Sequence, residues 1–599
     1  MQLVWRPIVA VQTILLFSAL ALSAASQQPE PGSANSGKFD GPAELPRVYV
    51  KSSLADTPAP GRVRLVREGE NLQEAIEGAK CGDTLKLQAG ATFQGTFKLP
   101  SKPCDDSHWI VIRTSAADDA LPPEGTRLTP CFGGIAALPG RPQFQCSHPT
   151  NALAKLVFDA RGNSGPITFL AGANHYRFTG LEITRAAADQ HMRNLVETAN
   201  DATAHHIIFD RVWLHGGPQD ETKAGIHLSG MSYVAVVDSY LNDFKCIARE
   251  GSCTDAQAIN GGSGNDPGGP YKIENNFLEA SGECILFGGA PATTTPADIE
   301  IRRNHLFKPM SWKPGQQEFV GTATGAAFIV KNHFELKNAQ RVLFEGNVLD
   351  NVWGGFSQHG FSILLTPKNQ APNVCPLCRV TDITVRYNKV RHVGGVLQIA
   401  NVPSGTHGSA TAGERYSIHD LVASDIDGDA YKGFGSFALI MSETPLLKDV
   451  AIDHVTAFPP NVLISISSSV EQPKIQNFKV TNSIFGAGDR QIGSAGGGRK
   501  NCAFQPDMQG PEGVLKSCFD NWEFTHNLIV GGGGHWPKGN ATVRNEGDAG
   551  IMSADSNYRL CREKEAECKK ASPAIHAAAD GKDLGVDVEA LGKLTAGVE

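Results

Sequence analysis

The densest run of ionisable side chains is Val330-Lys331-Asn332-His333-Phe334-Glu335-Leu336-Lys337-Asn338. On a β-strand alternate side chains share a face. If Val330, Phe334 and Leu336 face a core, then Lys331, His333, Glu335 and Lys337 project together. An earlier run, Asp298-Ile299-Glu300-Ile301-Arg302, turns Asp298, Glu300 and Arg302 outward around Ile299 and Ile301. Glu283, ahead of Cys284-Ile285-Leu286-Phe287, is expected to join the same patch. Trp312 is a candidate platform for a sugar ring. His359, after the Trp353-Gly354-Gly355 turn, is a candidate proton donor. Such a set suits β-elimination on a uronide. That reaction needs a neutralised carboxylate, a base for the C5 proton and an acid for the leaving oxygen. A lysine kept partly neutral serves as base, and a second cation or Ca²⁺ stabilises the enolate-like charge. The base role is assigned to Lys331 or Lys337, the carboxylate contact to Arg302, and an orienting or metal-assisting role to Glu335. The competing reading is structural: Lys and Glu two apart on an exposed strand neutralise each other in solvent, a lone Glu before a buried strand holds a turn, and a turn His holds a loop.

Short strands must position these residues. Ile273-Glu274-Asn275-Asn276-Phe277-Leu278, Ile301-Arg302-Arg303-Asn304-His305-Leu306 and Phe344-Glu345-Gly346-Asn347-Val348-Leu349 share one pattern of strand, Asn, strand. Alternation implies one buried and one wet face. Asn tolerates left-handed backbone at a bend and pairs with neighbouring backbone. Stacked as coils, these units pile Asn276, Asn304, Asn347 and Asn388 on one another, with 28, 43 and 41 residues between successive members by subtraction. Neighbouring coils lie about 4.8 Å apart, close enough to merge charges from different coils into one patch. The uneven spacing implies loop insertions, the longest at Cys246–Pro270, Pro309–Ala327, Thr366–Thr381 and Ala400–Glu414. An open antiparallel sandwich would require hairpin signals at shorter, more even spacing.

Residues 1–26 read as a secretory signal: Arg6, an apolar stretch from Ile8 to Leu22, and Ser23-Ala24-Ala25. A membrane anchor is the alternative, weakened by Gln12, Thr13 and Ser18. Residues 27–61, rich in Pro, Gly, Ser and Ala, read as a linker, and residues 62–599 as one domain. Cys81 and Cys104, Cys131 and Cys146, Cys246 and Cys253, Cys375 and Cys378, Cys502 and Cys518, and Cys561 and Cys568 fall as near neighbours, which in an exported chain reads as loop-stapling disulfides. Zinc at Cys375-Pro-Leu-Cys378 has no second ligand pair at matching spacing. Cys284 is expected as a buried thiol. The secreted or periplasmic compartment follows. With 54 basic and 62 acidic side chains there is no global nucleic-acid footprint. A monomer with no transmembrane segment after signal removal is expected.

Asn71, with Glu74 three residues on, caps a short helix whose Leu72, Ala75, Ile76 and Ala79 share a face. Gly82-Asp83-Thr84-Leu85-Lys86-Leu87, Gly90 and Phe93-Gln94-Gly95 follow. A capping helix, this segment and then strand-Asn-strand units resemble the right-handed parallel β-helix of the pectin-lyase-like superfamily. Ser572-Pro573-Ala574-Ile575 with Asp580–Gly585 is similar to the closing segment of its secreted members. The resemblance runs from about Val63 to Asp587. It implies an all-β solenoid with a capping helix and loop insertions. The fold hosts lyases, hydrolases, epimerases and adhesins. An exported lyase acting on an acidic polysaccharide is the leading expectation. The rivals are a glycoside hydrolase and a non-catalytic carbohydrate-binding or adhesin-like surface protein. The Asn-Thr-Asp, paired-Asp and Gly-His series of polygalacturonase-type hydrolases is absent. Ile452-Asp453-His454 has a faint likeness to classical pectate lyases, but their Arg-x-Pro-x-x-Arg partner is missing and no catalytic residue carries over. Gly261-Gly262-Ser263-Gly264-Asn265-Asp266 fits a single Gly-Gly-x-Gly-x-Asp calcium repeat, which reads first as a loop. Asp580, Asp583 and Asp587 read as terminal turns. No cofactor is fixed by these motifs; Ca²⁺ is the candidate metal.

Overall fold

The computed structural model describes residues 38–158, 165–186, 191–248, 253–264, 268–356, 358–405, 408–505, 510–563, 565, 568 and 570–599. The expected signal segment, the start of the linker, and Asn265 and Asp266 lie outside them. Among the described residues two sheets of 14 strands and one of 12 run parallel, each pairing with the equivalent strand of the next coil. One coil shows the path. Ala297–Arg302 lies in the first sheet, His305–Phe307 in the second and Phe334–Leu336 in the third, before Ala339–Glu345 re-enters the first sheet. This is the right-handed parallel β-helix, the hand that parallel crossovers favour. Ile299 pairs with Val342 and Ile301 with Phe344. These side chains, with Leu306 and Phe334, point into one continuous core. Phe334 and Phe344 stack at 4.4 Å.

The asparagine stack is present. Asn276 Nδ2 donates to Asn304 Oδ1 (2.9 Å), Asn304 Nδ2 to Asn347 Oδ1 (3.1 Å) and Asn347 Nδ2 to Asn388 Oδ1 (3.0 Å). The backbone reason differs from the expected one. The left-handed residue is the one before each Asn: Asn275, Arg303, Gly346 and Tyr387. The Asn itself turns inward and saturates the backbone of the neighbouring coils. The capping helix Leu72–Gly78 forms as expected, with Asn71 accepting from Glu74 N–H and with Leu72, Ala75 and Ile76 buried over the first coils. All six cysteine pairs are disulfides, Cys375 with Cys378 included, and Cys284 is a buried thiol. No helix among the described residues is long and apolar enough to cross a membrane.

Both ends of the described chain run back along the coils. Residues 38–58, expected within the linker, instead lie against the first sheet. Asp40 pairs with Arg386 at 2.7 Å, Glu44 N–H donates to Asp382 Oδ1, Arg47 N–H donates to Asp298 Oδ1, and Trp109 N–H donates to Pro58 O. They cover a polar ladder of left-handed positions in which Arg341 pairs with Asp298 and Arg415 with Asp382, both at 2.7 Å. At the other end Asp587 caps the helix Val588–Thr595, and its own N–H reaches Asp420. In its last turn Leu594 O accepts from Arg303, and beyond it Val598 O accepts from Arg127.

Candidate functional site

Neighbouring strands of the third sheet bring together the acidic and basic groups that the spacing had suggested. Leu286 pairs with Glu335 and Ile285 with Phe334, so the turn before Glu283–Phe287 lies beside Lys331. Lys331 Nζ sits 2.8 Å from Asp255 Oδ1 and 3.2 Å from Glu283 Oε1, the second contact lying off the direction of a hydrogen bond. Lys337 Nζ lies 3.3 Å from Glu335 Oε1. Gln257, beside Glu283 in the register, donates to Glu283 Oε2 at 2.8 Å. Phe334 and Leu336 point into the core and Glu335 away from it, as alternation requires.

Three residues that the sequence pattern did not single out complete the cluster. Asp255 comes from the Cys246–Pro270 insertion, just past the Cys246–Cys253 disulfide. Gln358 Nε2 donates to Glu335 Oε2 at 3.4 Å. Lys308, fully buried, donates to Ala280 O, Ser281 O and Gly282 O and so fixes the turn that presents Glu283. Only the length of the insertion signalled Asp255; a lysine among apolar residues was the one available sign of Lys308.

The electrostatics reverse the expected roles. Burial pushes the Glu283 carboxyl up to about 7; Lys331 opposes the shift, and Asp255 and Glu335 add to it. Burial also disfavours ionised Glu335, but Lys337, Lys331 and a hydrogen bond with Glu283 outweigh it and hold that carboxyl below its ordinary range. Desolvation lowers Lys331, yet Glu283, Asp255 and Glu335 outweigh it and leave the ammonium more stable than usual. Lys337 is raised in the same sense, against desolvation, chiefly by Glu335. Both lysines are held as ammonium ions by the carboxylates around them. The group poised to exchange a proton near neutrality is Glu283.

Three further expectations are corrected. Arg302 does not join Lys331: it lies on the first sheet, paired with Glu345 at 2.6 Å in a network that Arg386 and Asp40 of the N-terminal segment complete. Trp312 is no sugar platform. It is 0% exposed, with Arg141 and Lys245 over its ring at 5.6 and 5.4 Å and Phe328 edge-on to it. His333 does not face out with Lys331. It is buried, its Nε2 donating to Asp350 O and its Nδ1 accepting from Ser362, and desolvation keeps it neutral. His359 is exposed, but its ring stacks on Phe434 at 4.3 Å beside Phe361.

Ca²⁺ does not fit the donor set. It takes six to eight oxygens, whereas the carboxylates of Asp255, Glu283 and Glu335 already lie against the ammonium groups of Lys331 and Lys337. Most of the cluster is covered. Asp255 keeps 31% of its side-chain surface exposed and forms the rim with Phe356 and Gln358, which are half-buried.

No family model matches the chain. No curated protein matches it. Solved structures similar to it include the catalytic unit of an α-1,3-glucanase from Streptomyces thermodiastaticus (13% identity, 79% of this chain and 68% of that chain, TM-score 0.42). Others are a polysaccharide lyase from Pseudopedobacter saltans (11%, 87% and 98%, TM-score 0.39) and an alginate lyase from a Paenibacillus species (13%, 59% and 98%, TM-score 0.31).

Proposed function

We propose that this β-helix is an exported enzyme that cleaves an acidic, uronate-containing polysaccharide by β-elimination at the third-sheet cluster. The observation that carries the reading is Glu283, ionising at about 7 between two lysines held cationic. A group with that pKa is populated in both protonation states at neutral pH, where general acid–base catalysis is most effective. The substrate carboxylate takes the place of Asp255 beside Lys331, whose ammonium stabilises the negative charge that grows as the C5 proton leaves. Glu283 takes that proton; the C4–O bond breaks and the C4–C5 double bond forms. The same carboxyl returns the proton to the leaving oxygen. Lys308 and Gln257 hold Glu283 in place, and Glu335 holds Lys337. Six disulfides suit an oxidising, extracytoplasmic compartment.

Inverting hydrolysis at this pair is disfavoured by geometry. It needs carboxyls about 6.5–9.5 Å apart with a water between them, whereas Glu283 and Glu335 lie against the ammonium groups of Lys331 and Lys337. The test is incubation with pectate, alginate and glycosaminoglycans while following the ultraviolet absorbance of unsaturated product. Product is expected from one of these uronides, with Glu283→Gln lowering kcat by about 10²–10⁴-fold. Absence of product from every uronide, with binding to a polysaccharide gel retained, would establish the binding protein instead.

A further inference from the structure

On the outer side of the third sheet, a few coils before the cluster above, two cations stand side by side. Arg193 lies on the strand Met192–Thr198 and Lys223 on the next coil's strand, Thr222–His227. Met192 pairs with Thr222 and Asn194 with Ala224, so Arg193 and Lys223 are direct neighbours across the coils. Met192, Val196 and Ile226 point into the core, whereas Arg193 is exposed and Lys223 half-buried. Like charges set opposite each other on adjacent strands cost stability. The acids around them are turned elsewhere. Glu197 accepts from Asn194 Nδ2 at 2.5 Å, Glu221 accepts from Ile247 N–H, and Asp255 sits on Lys331. Among the described residues neither Arg193 nor Lys223 has a side-chain hydrogen bond or ion pair. Lys331 and Lys337, on the same sheet, each have a carboxylate.

The register places this pair relative to the proposed chemistry. Ala224 pairs with Gln257 and Gln257 with Glu283, which puts Lys223 two coils before Glu283. Two coil steps span about 10 Å, so one extended sugar chain laid across the coils can touch both places. Desolvation lowers Lys223 from the ordinary lysine range and Arg193 adds to the effect; Asp255 and Glu283 oppose it without reversing it. An anion between the two side chains would relieve their repulsion and hold Lys223 protonated. Arg193 offers a planar fork for two oxygens and Lys223 a compact charge, a combination that suits a carboxylate.

We propose that Arg193 and Lys223 form a second anion subsite, which takes the carboxylate of a uronate residue further along the chain whose reacting residue lies at Glu283. The inference rests on the acidic-polysaccharide reading above and adds that the substrate is recognised by acidic groups recurring along its length. The full chain carrying Glu283→Gln, so that no ligand is consumed, is titrated by calorimetry with galacturonate and alginate oligomers, from dimer to hexamer, and with their methyl-esterified counterparts. Affinity for one acidic series is expected to rise with length and to weaken as salt is added. Adding Arg193→Gln and Lys223→Gln should lower the affinity for the longer oligomers about 10-fold, flatten the salt dependence, and leave the melting temperature unchanged or higher. Esterified oligomers should not distinguish the two chains. Equal affinity of the two chains for every acidic oligomer, or no binding of any of them before the two substitutions are added, would overturn the subsite. Release of unsaturated product is read separately with Glu283 intact. Cleavage together with equal binding leaves the lyase reading and removes the subsite; loss of binding on adding the two substitutions, with no product from any uronide, keeps the subsite and removes the lyase reading.

Discussion

At Glu283 a single carboxyl carries both the proposed chemistry and a measurable cost to the fold. Its ordinary value is 4.5 and the folded chain holds it at about 7. The folded state therefore keeps this proton over a range where the unfolded chain has lost it. The proton's contribution to stability is complete below about 4.5 and falls as pH rises to about 7. Glu335, shifted the other way, contributes above its ordinary range and loses that contribution in acid. The melting temperature of the parent should accordingly drop between about pH 5 and 7, and Glu283→Gln should make that drop shallower. Part of the slope should remain, because burial also raises Glu300 on the first sheet to about 7. An unchanged slope in the variant, from melting curves at half-unit pH steps, would show that Glu283 ionises normally. Lys331, Glu335, Lys337 and Glu283 were legible in the sequence because alternation on one strand and adjacency of coils are enough to group them. Their protonation was not: it depends on Asp255, delivered by an insertion whose course no periodicity encodes, and on how completely the groups are covered.

The strand-Asn-strand unit shows what a repeating element reveals and what it hides. The Asn ladder was visible in the chain because each Asn must satisfy the backbone of its neighbours. Asn304 accepts from Asn276 N–H and donates to Ile273 O. Asn304→Ala takes that partner from Asn276 N–H and one from Ile273 O, at about 1–3 kcal/mol for each lost partner. Chemical denaturation should find the variant destabilised by ~3 kcal/mol, and a loss below ~0.5 kcal/mol would mean that water replaces the side chain. The left-handed position could not be read, since Asn275, Arg303, Gly346 and Tyr387 share no residue type. Arg302 and Trp312 were misplaced for a related reason. Outward charges on successive strands meet only if both strands belong to the same sheet. The insertion between Phe307 and Phe334 conceals that Arg302 and Glu335 lie on different sheets.

Taken as a whole, the molecule departs from a simple stack. In an unstrapped solenoid each coil interacts with its nearest neighbours, and stability is close to a sum of local terms. Here the tail from Asp587 onward reaches coils as distant as those of Asp420, Arg303 and Arg127. Removing residues 586–599 should separate the unfolding of these coils, so that circular dichroism and tryptophan fluorescence no longer trace one transition in urea. Coincident transitions in the shortened chain would return the tail to an ornamental role. The segment at the other end constrains how the protein is made. Asp40 bonds to His419, 379 positions later, and Glu44 to Asp382, 338 later. The first-synthesised part of this surface therefore has no seat until most coils have wound, and a coil slipped in register would misalign its contacts together. Its docking marks completion of the winding: a protease should cut within residues 38–58 faster in a nascent or misassembled chain, where the segment is unseated, than in a finished one.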